Sequence, residues 1–172
     1  MIIIKYRLLN PLCSLERYGV MIDLKSSETV SFTKGELKII PLGICMELPK
    51  YFEGIIVSRS GLPIKKGLIL SNSIGIIDGP MNNNNTNIPI AKNSKQGFKK
   101  GYSGNSDVWK ACLYALKSTI INEGDRLVQF KIQPVFDAPW WVWLRYFTSK
   151  FQFIKVDTLT SSNRGGHGST GI

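Results

Sequence analysis

The stretch "EGIIVSRSGLPIKKGLILSNSIGIIDG", residues 53–79, holds three short apolar runs, and Ser, Gly, Pro and Asn separate them. Runs of this length, rich in β-branched residues and closed by turn formers, are strand-like. The same reading covers "IIIKYRLL" (2–9), "GELKIIPLGICMEL" (35–48), "DRLVQFKI" (125–132) and "FQFIKV" (151–156). "WKACLYALKS" (109–118), although set among strands, reads as a helix. Strands at this spacing, without alternating helices, predict an all-β barrel or sandwich.

Two segments stand apart from the strand pattern. Residues 81–101, "MNNNNTNIPIAKNSKQGFKKG", are rich in asparagine and lysine with little to bury, and predict a flexible inserted loop. Residues 138–151 form an aromatic-rich insertion carrying Trp140, Trp141 and Trp143. These tryptophans are read first as core or sheet-edge residues, with an exposed contact surface as the alternative.

A chain of 172 residues suits one domain with a real core. Its net charge of +10 fits an anionic partner but selects none, because the lysines are scattered. Cys13, Cys45 and Cys112 lie far apart without CxxC spacing, which argues against a disulfide framework or a zinc site. "MIIIKYRLLN" lacks the features of a secretory signal, and the window "APWWVWLRYFTSKFQF" is too short and too charged to span a bilayer. A soluble cytoplasmic protein is expected, in a host cytoplasm if the source is a virus. The richness in Asn, Lys and Ile hints at an AT-rich genome, phage or bacterial.

Within the opening stretch, "SRSGL" (58–62) offers a fork-shaped cation, a hydroxyl and a glycine that permits close approach, as phosphate binding requires. Alone, such a string is more often a plain turn. "SNSIGIIDG" (71–79) delivers Asp78 at the end of an apolar run, where a carboxylate can act as a base on water. The chain closes on "NRGGHGSTGI" (163–172), with Arg164, Ser169 and Thr170 suited to phosphate and its only histidine, His167, among glycines. A frayed end and a tail that orders over a nucleotide both fit that composition.

The order of these pieces resembles the trimeric dUTP nucleotidohydrolases, the dUTPases, over nearly the whole chain. "VMIDL" (20–24), "SRSGL" (58–62), "NSIGIIDG" (72–79), "GDRLVQ" (124–129) and "RGGHGSTG" (164–171) are similar to that family's five ordered motifs. Val20 and Met21 stand where small residues are usual, and Ser58 and Ile74 where proline is common. The family's sugar-stacking tyrosine normally follows the aspartate closely. Excising 81–101 would join "IIDGP" to "YSGNSDVW", so Tyr102 takes that role.

The resemblance implies a jelly-roll-like β domain over 1–160, a nucleotide-closing tail over 161–172, and a homotrimer exchanging that tail between subunits. It implies hydrolysis of dUTP to dUMP and pyrophosphate, with Asp78 as the base and Mg²⁺ on the phosphates. Asp23 would touch the metal's water shell. Arg59, Ser60, Gly61 and Gln129 would hold the phosphates, Asn72 and Gly75 would read uracil, and Tyr102 would support the sugar. From the tail, Arg164, Gly168, Ser169 and Thr170 would close on the phosphates while His167 stacks on the base. A dCTP deaminase shares the fold but needs a glutamate in a region, 79–122, that has none. The remaining alternative is a regulatory or interaction protein on this scaffold, with a protein partner met through 81–101 or 138–151. Neither a nucleic acid nor a membrane is expected as partner.

Overall fold

The computed structural model describes residues 1–81 and 100–165. Twelve strands are present there: β1 (Ile2–Leu8), β2 (Ile22–Lys25), β3 (Val30–Phe32), β4 (Leu37–Pro41), β5 (Ile44–Glu47), β6 (Phe52–Ser58), β7 (Leu68–Leu70), β8 (Ile74–Asp78), β9 (Lys110–Ala115), β10 (Thr119–Ile121), β11 (Arg126–Pro134) and β12 (Phe151–Lys155). A helix, α1 (Trp140–Thr148), precedes β12. The strands form sheets ordered β12-β1-β5, β2-β11-β6-β8, β4-β9-β7 and β10-β3. The expected all-β architecture is the observed one. No helix among the described residues is long and apolar enough to cross a membrane.

The four-stranded sheet is antiparallel throughout and carries the motif residues. Along β6, Phe52, Gly54 and Ile56 point inward, and along β11 so do Val128, Phe130 and Ile132. This period of two is what a sheet with one covered face imposes. Trp109 fills the space between the layers, edge-on to Phe130 at 5.2 Å. It lies so close to β6 that a side chain at Gly54 would stand 2.8 Å from the indole. Glycine is therefore the residue that fits.

Two expectations change. The segment 109–118 is not helical: Lys110–Ala115 is β9, with Ala111, Leu113 and Ala115 buried and Tyr114 exposed. Strict alternation against β4 and β7 overrides the modest helix preference of Ala and Leu. The tryptophans of 138–151 do not enter the core. They ride on α1, which follows Pro139 and buries Val142, with Tyr146 packed on Phe52 and Phe151. Val142 and Tyr146 are four apart and define the inward face. Trp140 and Phe147 are 73% and 74% exposed.

Residues 82–99, most of the expected loop, lie outside the described residues. Met81 belongs to the core rather than to a stretch with nothing to bury. Gly101, at φ +64°, lies so close that a side chain on it would meet Pro80 N at 2.4 Å. The chain leaves and re-enters the sheet side by side.

Candidate functional site

Two groups of motif residues form in one chain, one in a cleft just past the end of β6 and one along β8, which runs from Ile74 opposite Val57 to Asp78 opposite Glu53. The first surrounds a cleft of about 450 Å³ lined by Arg59, Ser60, Gly61, Lys65, Lys66 and Arg126, among others. Asp23, opposite Gln129 in the β2–β11 pairing, shares a sheet face with Gln129 and Val57. Arg59 lies two residues beyond Val57, and its Nε donates to Asp23 Oδ1 at 3.1 Å. Arg126 Nη1 donates to Asp23 Oδ2 at 3.3 Å. The Asp23 carboxylate is 3% exposed, and each oxygen is taken up by a guanidinium. Asp23 therefore braces two arginines, and the metal-shell contact that the resemblance implies would need one of them to let go.

A local irregularity aims Arg126. The β2–β11 register shifts between Arg126 and Val128, so Leu127 and Val128 are both buried while Arg126 turns to the cleft rim. Bulges of this kind commonly redirect a side chain next to a site. Tyr18 lies against the Arg126 guanidinium, 4.2 Å from its ring centre. The Tyr18 hydroxyl donates to Glu16 Oε2 at 2.7 Å. Bonds from Lys25 and then Tyr18 hold the Glu16 carboxyl below its ordinary range. Lys66 closes the cleft floor by pairing with Asp125 at 2.8 Å.

The second group gathers around β8. Ile74, Ile76 and Asp78 share one exposed face, so the carboxylate does end an apolar strip. Asn72 sits at the tip of the turn from β7, where Ser73 takes φ +57°. Asn72 Nδ2 would be 3.9 Å from a side chain at Gly75, and Ile56 Cβ would be 3.2 Å from it. Glycine thus lets the two strands approach closely beside that amide. From Ile74 to Asp78 the strand spans about 13 Å at ~3.3 Å per residue.

Tyr102 adjoins Asp78: its backbone N–H donates to the Asp78 carbonyl at 2.6 Å, and its hydroxyl donates to Val108 O at 2.8 Å. Burial, then the nearby Asp107 and Cys45, push the phenol up to about 12. At neutral pH Tyr102 is a neutral ring, packed against the core cluster.

Arg164 comes to Asp78 as well, Nη1 donating to Oδ2. The resemblance sends Arg164 to phosphate; here its guanidinium rests on the carboxylate. His167, Gly168, Ser169 and Thr170 lie outside the described residues. Sequence reasoning missed Arg126, Lys65, Lys66 and Tyr18. Arg126 stands inside the quoted "GDRLVQ" and was readable there as a second cation. Nothing in the string "RYGVM" points Tyr18 at an arginine.

Asp78 and the cationic cleft do not meet within one chain. Asp78 is opposite Glu53, and Arg59 comes six residues after Glu53, one past the end of β6. That separation is about 20 Å.

A family model described as dUTPase matches residues 15–100. The SPbeta prophage-derived deoxyuridine 5'-triphosphate nucleotidohydrolase YosS of Bacillus subtilis (strain 168) is 36% identical over 153 residues, covering 89% of this chain and 84% of that one. Among solved structures, a dUTPase from Streptococcus mutans is similar with a TM-score of 0.59 and 22% identity, over 78% of this chain and 98% of that chain. A dUTPase from phage phi11 of S. aureus, described as coordinating a structural Mg(II) ion, matches with a TM-score of 0.57 and 20% identity, over 79% and 92%.

Proposed function

The chain belongs to the dUTPase family, and from that premise we propose how its residues hydrolyse dUTP to dUMP and pyrophosphate. Asp78 orients a water and takes its proton as the oxygen attacks the α-phosphorus in line. The bond from that phosphorus to the bridging oxygen breaks, and pyrophosphate leaves. Tyr102 lies under the deoxyribose and excludes a 2′-hydroxyl by contact. Asn72 and the backbone around Gly75 read uracil, with no room for a 5-methyl group. Arg59, Ser60, Gly61 and Gln129 hold the phosphate chain, and Arg126 adds a cation at the same cleft.

The substrate is the Mg²⁺ complex of dUTP. Mg²⁺ suits phosphate oxygens and water, and it neutralises charge on the triphosphate when bound. Asp23 acts on the ion's surroundings through Arg59 and Arg126.

The observation that carries this reading is the split between the two groups. A carboxylate with its tyrosine and a cationic cleft about 20 Å away cannot act on one phosphate within one chain. The proposed homotrimer brings the β8 group of one subunit to the cleft of another. The β domain spans 1–160, and the tail at 161–172 closes over the nucleotide, with Gly168, Ser169 and Thr170 on phosphate and His167 on uracil. The regulatory alternative is not favoured.

The test is incubation with each deoxynucleoside triphosphate and Mg²⁺. Pyrophosphate is expected from dUTP alone. Comparable release from dTTP or dCTP overturns the assignment of the Asn72–Gly75 turn.

A further inference from the structure

The guanidinium of Arg126, at the rim of the cationic cleft, is held from two sides. Asp23 Oδ2 accepts its Nη1 at 3.3 Å, and its Cζ stands over the Tyr18 ring, 4.2 Å from the ring centre. Tyr18 is 69% exposed, yet its ring is fastened in place. An antiparallel bridge joins Glu16 to Asp23, with the Asp23 N–H on the Glu16 carbonyl at 2.9 Å, and closes the turn 17–21 against β2. Within that turn Arg17 Nε donates to Gly19 O at 2.8 Å. The Tyr18 hydroxyl donates to Glu16 Oε2 at 2.7 Å, while Glu16 Oε1 takes the nearly buried Lys25 ammonium at 2.5 Å. Both the backbone and the far end of Tyr18 are therefore tied. The line Lys25–Glu16–Tyr18–Arg126 ends at the cleft.

We propose that Tyr18 is a positioning residue for phosphate binding: its ring, pinned by Glu16, stacks on the Arg126 guanidinium and keeps that cation at the cleft when a triphosphate enters. A long arginine side chain loses rotamer freedom on binding phosphate, and one already stacked on a ring and braced by a carboxylate has less to lose. A ring suits this task better than a second carboxylate. It attracts the cation through its face and takes none of the N–H donors, whereas a carboxylate competes with phosphate for them. The kinetic part of this inference rests on the proposed dUTP hydrolysis; the stacking part does not.

Three variants test it. Tyr18→Leu removes the flat ring, Tyr18→Phe keeps the ring without its hydroxyl, and Arg126→Ala removes what the ring holds. Tyr18 is exposed, so its replacement leaves the fold intact. Each protein is read twice: by steady-state hydrolysis of dUTP with Mg²⁺, and by calorimetric titration with inorganic tripolyphosphate, which needs no turnover. Tyr18→Leu is expected to raise KM for dUTP and Kd for tripolyphosphate by about 3- to 10-fold, within the range of a cation–π contact. Its kcat should change less than about two-fold, since the group being loosened binds phosphate. Tyr18→Phe should recover most of the loss. In the Arg126→Ala background, Tyr18→Leu should cost nothing further. Parent-like KM and Kd in Tyr18→Leu overturn the proposal, and so does a loss confined to kcat. An equal loss in the Arg126→Ala background overturns it too, because Tyr18 would then act on the nucleotide itself. Tyr18→Phe as weak as Tyr18→Leu overturns the stack. A parent that does not hydrolyse dUTP fails the functional reading, and the tripolyphosphate titration then decides the role of Tyr18 alone. A parent that binds no tripolyphosphate overturns the proposal together with the phosphate cleft.

Discussion

Asp78 and Arg59 flank the same strand at opposite ends: Asp78 pairs with Glu53 at the start of β6, and Arg59 follows its last residue. About 20 Å separates them in one chain. If both serve one triphosphate, they come from different subunits. Asp78→Asn and Arg59→Ala should each be nearly inactive alone. Mixed as equal parts and reassembled, random trimers should regain roughly a quarter of the parent activity, since half the subunits supply each intact group. Reassembled mixtures with no activity would mean that both groups act from one subunit.

Asp78→Asn keeps the size of the side chain and its hydrogen bonding to Arg164 but cannot take a proton. Loss of a general base typically costs ~10²–10⁴ in rate. The expected outcome is a fall of that size in kcat with binding of dUTP retained, measured by single-turnover kinetics and by titration. A variant within a few-fold of the parent would move the base elsewhere.

The flanks of residues 82–99 lie in contact, with Gly101 against Pro80 and the Tyr102 N–H on the Asp78 carbonyl. Joining Met81 to Lys100 should therefore leave the sheet intact. Closure entropy changes slowly with loop length, so the stability change stays within about 1 kcal/mol. Denaturant unfolding checks the fold, and discrimination against UTP checks Tyr102. A folded deletion variant that accepts UTP would remove Tyr102 from the sugar.

How much of this was legible depended on the range of the contacts involved. β6 and β11 declared themselves by alternation, because one covered face selects every second residue. The segment of β9 was ambiguous, since Ala, Leu and Tyr recur at spacings that suit either period, and only its pairing with β4 and β7 decides. Arg59, Gln129 and Asp78 stood in recognisable strings. The bracing of Arg126 by Asp23 joins residues 103 apart, and that of Arg164 by Asp107 joins residues 57 apart. No local pattern encodes such pairs.

Helix α1 separates packing from exposure within one turn. Tyr146 packs on Phe52 and Phe151, whereas Trp140 and Phe147 face outward. Replacing Trp140 and Phe147 with serine should shift stability by no more than about 0.5 kcal/mol each. Tyr146→Ala should cost about 2–4 kcal/mol, as large-to-small changes against a core do, with some relief for its partial exposure. Equilibrium unfolding of the three variants gives the comparison. A large loss at Trp140 or Phe147 would show that this face is covered in the assembled protein.

Asp23 offers the sharpest separation of two roles. Its oxygens sit on Arg59 and Arg126 at 3.1 and 3.3 Å, so Asp23→Asn leaves two guanidinium groups in the cleft with one charge fewer to hold them. Breaking a buried ion pair costs several kcal/mol, but both arginines are about one-third exposed, which reduces the expected loss to about 1–3 kcal/mol. The loosened arginines should raise KM for dUTP by ~10-fold with a smaller change in kcat, since the groups being misplaced bind phosphate. The competing role, contact with the water shell of Mg²⁺, makes a different demand. In that case the variant would bind the metal complex poorly, and raising Mg²⁺ would restore activity. If Asp23 works through the arginines, added Mg²⁺ leaves the KM defect in place, and Arg126→Ala reproduces it without further loss in the double variant. Kinetics of the parent, both single variants and the double variant across a Mg²⁺ series decide the matter: full recovery at high Mg²⁺ would return Asp23 to the metal.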